Sequence, residues 1–203
     1  MPSASATSKG ERTRAAILDA GVRVVSRAGL DGLTIGTLAE ATGLSKSGLF
    51  AHFGARDELL LAVLAHGQNR FTEVVIKPAL DHPRGVPRLR ALFVNWLDWT
   101  EAADLPGGCP MIGGATEYDD RPGPVRDALA AGQRAWIEVL KRAVTRSIEA
   151  GQLAPDTDAD QLVFELFGIA LVTHHHRRLL GLAKARSRAL EAFEALVARS
   201  AVR

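Results

Sequence analysis

Apolar residues recur along this chain at intervals of three and four. No segment sustains the every-second-residue alternation of a half-buried strand, so the pattern predicts an all-α fold. Ile17, Leu18, Gly21, Val22 and Val25 stripe a first helix that ends at the turn AGLDG. Thr34 and Ser45 have side-chain oxygens suited to capping, and they introduce two short helices through about Ala41 and His52. A longer helix follows Gly54, with Asp57 and Glu58 in its first turn, where the helix dipole favours acids, and runs to Pro78. Past the linker DHPRGVP, apolar stripes over 89–97, 111–118, 125–148, 162–172 and 189–197 predict five more helices, separated by DLPGGCP, DDRPGP, Gly151 and THHHRRLLG. Three short helices followed by a larger six-helix body make about nine. The expected boundary separates residues 1–55 from 56–203.

Composition narrows the setting. A chain of 203 residues with 47% hydrophobic content can bury a full core without covalent staples. Cys109 is the lone cysteine, so no intrachain disulfide can form. The first residues lack an apolar stretch of signal-peptide length, and no apolar run is long enough to span a bilayer, so a soluble cytoplasmic protein is expected. The net charge of +2 is unevenly spread: residues 1–56 carry seven Lys/Arg against four Asp/Glu, and the remainder eighteen against nineteen. A basic first quarter suits a polyanionic partner.

The stretch GLSKSGLFAHFG, residues 43–54, is made of poor helix formers, yet it fits the second half of a helix-turn-helix. Ala39 is small where two helices must cross closely, and Gly43 falls at the turn, where a left-handed backbone would strain any other residue. Leu38, Leu44, Leu49 and Phe53 are expected on the inner faces, fastening the pair to the first helix as a tripod. Lys46, Ser47 and Gly48 then stand at the exposed N-terminal turn of the third helix. Free N–H groups and a lysine there can meet phosphate and base edges in a major groove. Lys46 is the first candidate for a DNA contact, and the expected partner is a double-stranded operator.

The run GLTIGTLAEATGLSKSGLFAHFGARDELLLAVL resembles the N-terminal domain of the TetR family of bacterial transcriptional regulators, closely over about residues 13–64 and loosely beyond. PGGC followed by EYDDRPGPVRDAL resembles one subgroup of that family's bodies. The resemblance implies backbone contacts for Thr34 and Thr37 and groove-facing positions for Ser45, Lys46, Ser47 and Gly48. For His52 it implies a phosphate contact, the alternative being a histidine satisfied within the tripod. Arg56 stands where the family usually has a lysine. Phe50 departs from the usual tyrosine and, without a hydroxyl, keeps only a packing contact with the DNA backbone. Lys9, Arg12 and Arg14 in SKGERTR read as a basic arm ahead of the first helix, of the kind that adds DNA contacts.

Helix-turn-helix proteins usually read two half-sites, which needs a homodimer. The nearly all-round apolar segment 162–172 and the following stripe suggest a four-helix interface using Leu162, Leu166, Ile169, Leu190, Phe193 and Val197, which is also how the resembled family pairs. The resemblance further implies a small-molecule cavity, with Phe71, Val75, Phe93, Trp96, Met111, Ile112, Trp136, Leu140, Phe164 and Phe167 as its apolar wall. A small, largely apolar effector would release a repressor from its operator by favouring a state in which the fourth helix separates the tripods.

Competing readings make the protein an activator or a thiol-redox regulator through Cys109, or a small-molecule-binding protein or enzyme without DNA function, using Cys109, the histidines, or Glu117 with Asp119 and Asp120. No nucleophile–base spacing, phosphate loop, cofactor motif or paired metal-ligand spacing supports the enzyme. His174, His175 and His176 are consecutive, and helical side chains about 100° apart cannot converge on one metal ion.

Overall fold

The computed structural model describes residues 9–202, all of whose regular elements are helical. They are α1 (Lys9–Ala28), α2 (Ile35–Thr42), α3 (Lys46–Phe53), α4 (Arg56–Phe71), α5 (Val86–Thr100), α6 (Pro110–Tyr118), α7 (Pro124–Glu149), α8 (Ala159–Arg178) and α9 (Ala185–Arg199). Positions 9, 12 and 14, expected in an arm, instead belong to the first two turns of α1. The Arg14 guanidinium lies 5.4 Å from the centre of the Phe53 ring, an exposed cation against α3.

Helix α4 does not run as one regular rod to Pro78. It passes through a π turn over Thr72–Ile76 and a last α-helical stretch, Lys77–Ala79. Pro78 has no N–H to give to the turn before it. The Lys77 N–H reaches back to the Thr72 carbonyl, and Asn95 Nδ2 of α5 donates to the Val75 carbonyl at 3.0 Å.

One contiguous apolar core runs from Ile17 to Leu196 and crosses the expected boundary at residue 56. Helix α4 is the reason: Leu59, Leu60, Val63 and Leu64 are all buried, and α4 packs against both α1 and α7. The α1–α4 crossing is close enough that a Cβ on Gly21 would lie 2.6 Å from a Val63 methyl. The tripod of α1, α2 and α3 therefore sits on the helix that also walls the body.

Candidate DNA-binding interface and the cavity behind it

Local capping builds the tip. The Thr37 N–H donates to Thr34 Oγ1 at 3.1 Å and the Thr34 N–H to Thr37 Oγ1 at 2.9 Å, closing a reciprocal cap on α2. Gly43 ends α2 with φ +69° and donates its N–H to the Ala39 carbonyl at 2.8 Å. A Cβ at Gly43 would meet nothing within 4 Å, so backbone conformation and not space requires glycine here. Ser45 Oγ then accepts the Gly48 N–H at 3.2 Å, which starts α3.

Leu38, Leu49 and Phe53 are buried beneath this tip. Leu44 is not: at 40% exposed it lies in the turn and faces outward, a correction to its expected inner place. Thr34, Thr37, Ser45, Lys46, Ser47, Gly48 and His52 are exposed, and Phe50 is 60% exposed. No salt bridge among the described residues involves Lys46. Arg56 is differently placed. Its guanidinium donates to Asp31 Oδ1 at 3.1 Å and to the Leu30 carbonyl at 3.4 Å, and is 3.5 Å from the Tyr118 hydroxyl. Arg56, grouped by the resemblance with the DNA-binding residues, is thus also clamped within the chain, with 46% of its side chain exposed.

A cavity of about 400 Å³ lies between α4, α5, α6, α7 and α8. Of the expected wall, Phe71, Trp96, Met111, Ile112, Trp136 and Phe167 line it. Their rings interlock: Phe71 stands edge-on to Trp136 at 5.0 Å, Trp96 edge-on to Trp136 at 5.4 Å, and Phe167 lies 5.0 Å from Trp96. Four expectations are corrected. Val75 and Leu140 are wholly buried core, Phe93 is spent stacking on Phe193 at 5.0 Å, and Phe164 is 74% exposed on the far side of α8. Gln68, Gln133 and Arg142 join the wall without having been foreseen. Extending the Trp136 stripe along α7 through Gly132, Val139 and Arg142 would have found the last of these.

Helix α6 joins cavity to tripod. It starts beside Cys109, Met111 and Ile112 in the cavity wall. At its far end Glu117 accepts the backbone N–H groups of Leu30 and Asp31, each at 3.1 Å. Arg121 donates to Asp31 Oδ2 at 2.6 Å, and the Tyr118 hydroxyl lies 3.3 Å from Oδ1. The Arg121 hydrogen bond, with Arg56 and Tyr118 and against the opposing effect of desolvation, holds the Asp31 carboxyl below its ordinary pKa. The loop before α6 docks as well. Gly107 N–H donates to Ser26 Oγ at 2.9 Å, and Ser26 Oγ donates to the Gly108 carbonyl at 2.8 Å.

Residues that could have carried other chemistry are committed elsewhere. Cys109 is buried, and that burial pushes its thiol pKa up, away from the reactive thiolate. Glu117 is occupied by backbone donors, while Asp119 and Asp120 are exposed. His174 is half-buried beside Gly108, its pKa lowered first by desolvation and then by Arg178, while His175 points to solvent. Among the described residues no three His, Cys, Asp or Glu side chains gather where a metal ion could be held. Also among them, no helix is long and apolar enough to cross a membrane.

Leu162, Leu166 and Phe193, expected at a dimer interface, are buried in the chain's own core, and Ile169, Leu190 and Val197 are half-buried. The face that α8 leaves open carries Phe164, Gly168, Leu171 and Val172 instead, with Leu179 just past its end also exposed.

The family described as "Tetracyclin repressor-like, C-terminal domain" matches residues 85–193, and "Bacterial regulatory proteins, tetR family" matches 17–63. The chain belongs to the TetR family. The N-terminal match takes in the first half of α4, consistent with that helix serving both parts of the core. A TetR regulator from Chloroflexus aurantiacus has the same fold at 26% identity and a TM-score of 0.82, with 94% of each chain covered. The transcriptional repressor AcnR of Corynebacterium glutamicum is 36% identical over 78 residues, covering 38% of this chain and 42% of AcnR, so the chain spans under half of that relative. AibR, solved in complex with isovaleryl coenzyme A and operator DNA, shares the TetR fold at 22% identity and a TM-score of 0.67, over 92% of this chain and 97% of its own.

Proposed function

We propose that this TetR-family protein is a dimeric transcriptional repressor of the cytoplasm, released from operator DNA by a small, largely apolar effector. The observation that carries the reading is the pairing of an open α3 tip with an aromatic cavity through a single short helix, α6, anchored at both ends. Ser45, Lys46, Ser47 and Gly48 would enter the major groove, with Thr34, Thr37 and His52 toward phosphates and Phe50 packed on the sugar-phosphate backbone. Two tips about 34 Å apart would be needed to read successive half-sites. The open apolar face of α8 supplies the surface for that pairing.

An effector that fits only one arrangement of the Met111–Trp136 wall would shift α6, and with it Glu117 and Tyr118, against the α1–α2 turn. Equal affinity for both arrangements would shift nothing. AcnR, a repressor, and AibR, solved with both an acyl thioester and its operator, support the same division of labour.

The deciding experiment mixes purified protein with the DNA upstream of its own coding region at several salt concentrations. A salt-sensitive complex, weakened strongly by Lys46→Ala at unchanged thermal stability, supports the proposal. Failure to bind any fragment selected from the source genome would overturn it. Reporter expression that falls on deleting the protein would favour activation instead of repression.

A further inference from the structure

We infer that the effector is a carboxylic acid bound as its anion, an apolar body among Phe71, Trp96, Trp136 and Phe167 with its carboxylate on Arg142. This rests on reading the cavity as an effector site, and it adds the chemistry of the occupant.

Three features of the wall converge on that class. The first is charge: among the residues lining the cavity, Arg142 alone carries one, and no carboxylate faces it. No salt bridge among the described residues engages Arg142, although most other arginines of the body are paired, including Arg70, Arg90, Arg121, Arg177, Arg186 and Arg199. A planar guanidinium offers a fork of donors that matches a carboxylate, and it has no acceptor to offer in return.

The second is hydrogen-bond polarity. Trp136 Nε1 is a buried donor with no partner, on the helix that also brings Arg142 to the cavity. An indole N–H can only donate, so the ring cluster holds a second donor, separate from the guanidinium at the rim. A buried donor left unmet is costly, which makes a ligand acceptor the natural complement.

The third is geometry. Trp136 and Arg142 are six residues apart, which at a rise of 1.5 Å per residue is about 9 Å along α7. Trp136 is buried among the interlocked rings while Arg142 is exposed, so the charge sits toward solvent and the aromatic cluster inward. An amphiphile entering tail first would meet the rings with its body and the guanidinium with its head. Aromatic walls can also hold quaternary ammonium ions. Here, though, the rings are turned edge-to-face against each other, and the charge lining the cavity is positive.

Intrinsic tryptophan fluorescence tests the assignment on the full-length protein, because Trp96 and Trp136 both line the cavity. The probes are octanoate and hydrocinnamate, octanol and hydrocinnamyl alcohol, and octyltrimethylammonium. At least one acid should bind at least tenfold tighter than its alcohol and than the ammonium. Arg142→Gln, an exposed helical position, should remove most of that preference while leaving alcohol binding and thermal stability unchanged. Alcohols binding as tightly as acids, an ammonium preference, an Arg142→Gln variant that keeps the acid preference, or no binding by any probe would each overturn it. Operator binding is measured separately. Arg142-dependent acid binding with no change in operator affinity would leave the ligand class standing and sink the release mechanism instead.

Discussion

The carboxylate of Glu117 occupies the space that a Cβ on Gly29 would need, with Oε1 only 2.3 Å from that position. Gly29 has φ +77°, so an L side chain there is strained even before it meets Glu117. The close approach lets both carboxylate oxygens reach the N–H groups of Leu30 and Asp31, tying the body to the turn between α1 and α2. Gly29→Ala should therefore cost about 1–2 kcal/mol from backbone strain alone, and more if Glu117 is displaced. Glu117→Gln can still accept one N–H but not two as an anion, and should cost about 1–3 kcal/mol. Thermal unfolding checks both. The coupling reading adds a second expectation, that Glu117→Gln weakens the effect of a cavity ligand on DNA affinity more than it weakens ligand binding. Equal losses in the two would leave Glu117 a mere structural tie.

The same junction has a pH signature. Asp31 is held below its ordinary value of 3.8, first by Arg121 and then by Arg56 and Tyr118. A carboxyl with a depressed folded-state pKa stabilises fully above its unfolded value and loses that contribution as pH falls through the folded one. The stability difference between wild type and Asp31→Asn should thus stay flat from neutral pH down to about 3.8 and shrink only below it. Because the pair is exposed, the difference should be small and should diminish in high salt. A difference that already fades near neutral pH would point to a histidine and away from Asp31.

At the α3 tip, Lys46→Ala should reduce the salt dependence of operator binding, lowering the slope of log affinity against log salt by about one per half-site. Its effect should be similar on specific and unrelated DNA, as a phosphate contact requires. Phe50→Tyr runs the other way. Phe50 is exposed beside the tip, and adding a hydroxyl where the family commonly has one should tighten binding by about 1 kcal/mol. Fluorescence anisotropy with labelled duplex measures both. A tyrosine variant no tighter than wild type would place Phe50 away from the DNA backbone.

The sequence made the tip legible because each special position there has a local cause. Gly43 is needed for a positive φ, Ser45 for a cap, and Leu38, Leu49 and Phe53 for one short apolar face. Leu44 misled because a turn residue between two helices obeys neither helix's periodicity. The cavity was half legible. Phe71, Trp96 and Trp136 lie on apolar stripes, but a stripe does not distinguish a wall residue from a core residue such as Phe93, whose partner Phe193 is 100 positions away. The Glu117 tie was not legible, since it depends on contacts across 86 and 87 positions that leave no local pattern. Arg56 shows the same limit: its clamp on Asp31 follows from how α1 and α4 pack, which no motif states.

Helix α8 shows what all-round apolarity means. Leu162 and Leu166 face inward and are fully used by the chain's own core, whereas Phe164, Leu171 and Val172 are left in solvent on the other side. Exposed apolar residues grouped on one helix face mark an interaction surface, and a two-fold pairing needs only that face to be self-complementary. The two sides of α8 should consequently respond differently to the same kind of change. Leu166→Glu buries an unpaired charge and should unfold the chain. Phe164→Glu places its charge in solvent, so monomer stability should change by no more than about 0.5 kcal/mol, while any dimer should dissociate. Analytical ultracentrifugation and operator binding then separate the outcomes. A Phe164→Glu, Leu171→Glu double variant that stays folded, sediments as a monomer and no longer binds a two-half-site operator places the dimer contact on this face. A variant that remains dimeric moves the interface to another surface of the molecule, because two glutamates at the centre of a two-fold contact would meet their own copies across it.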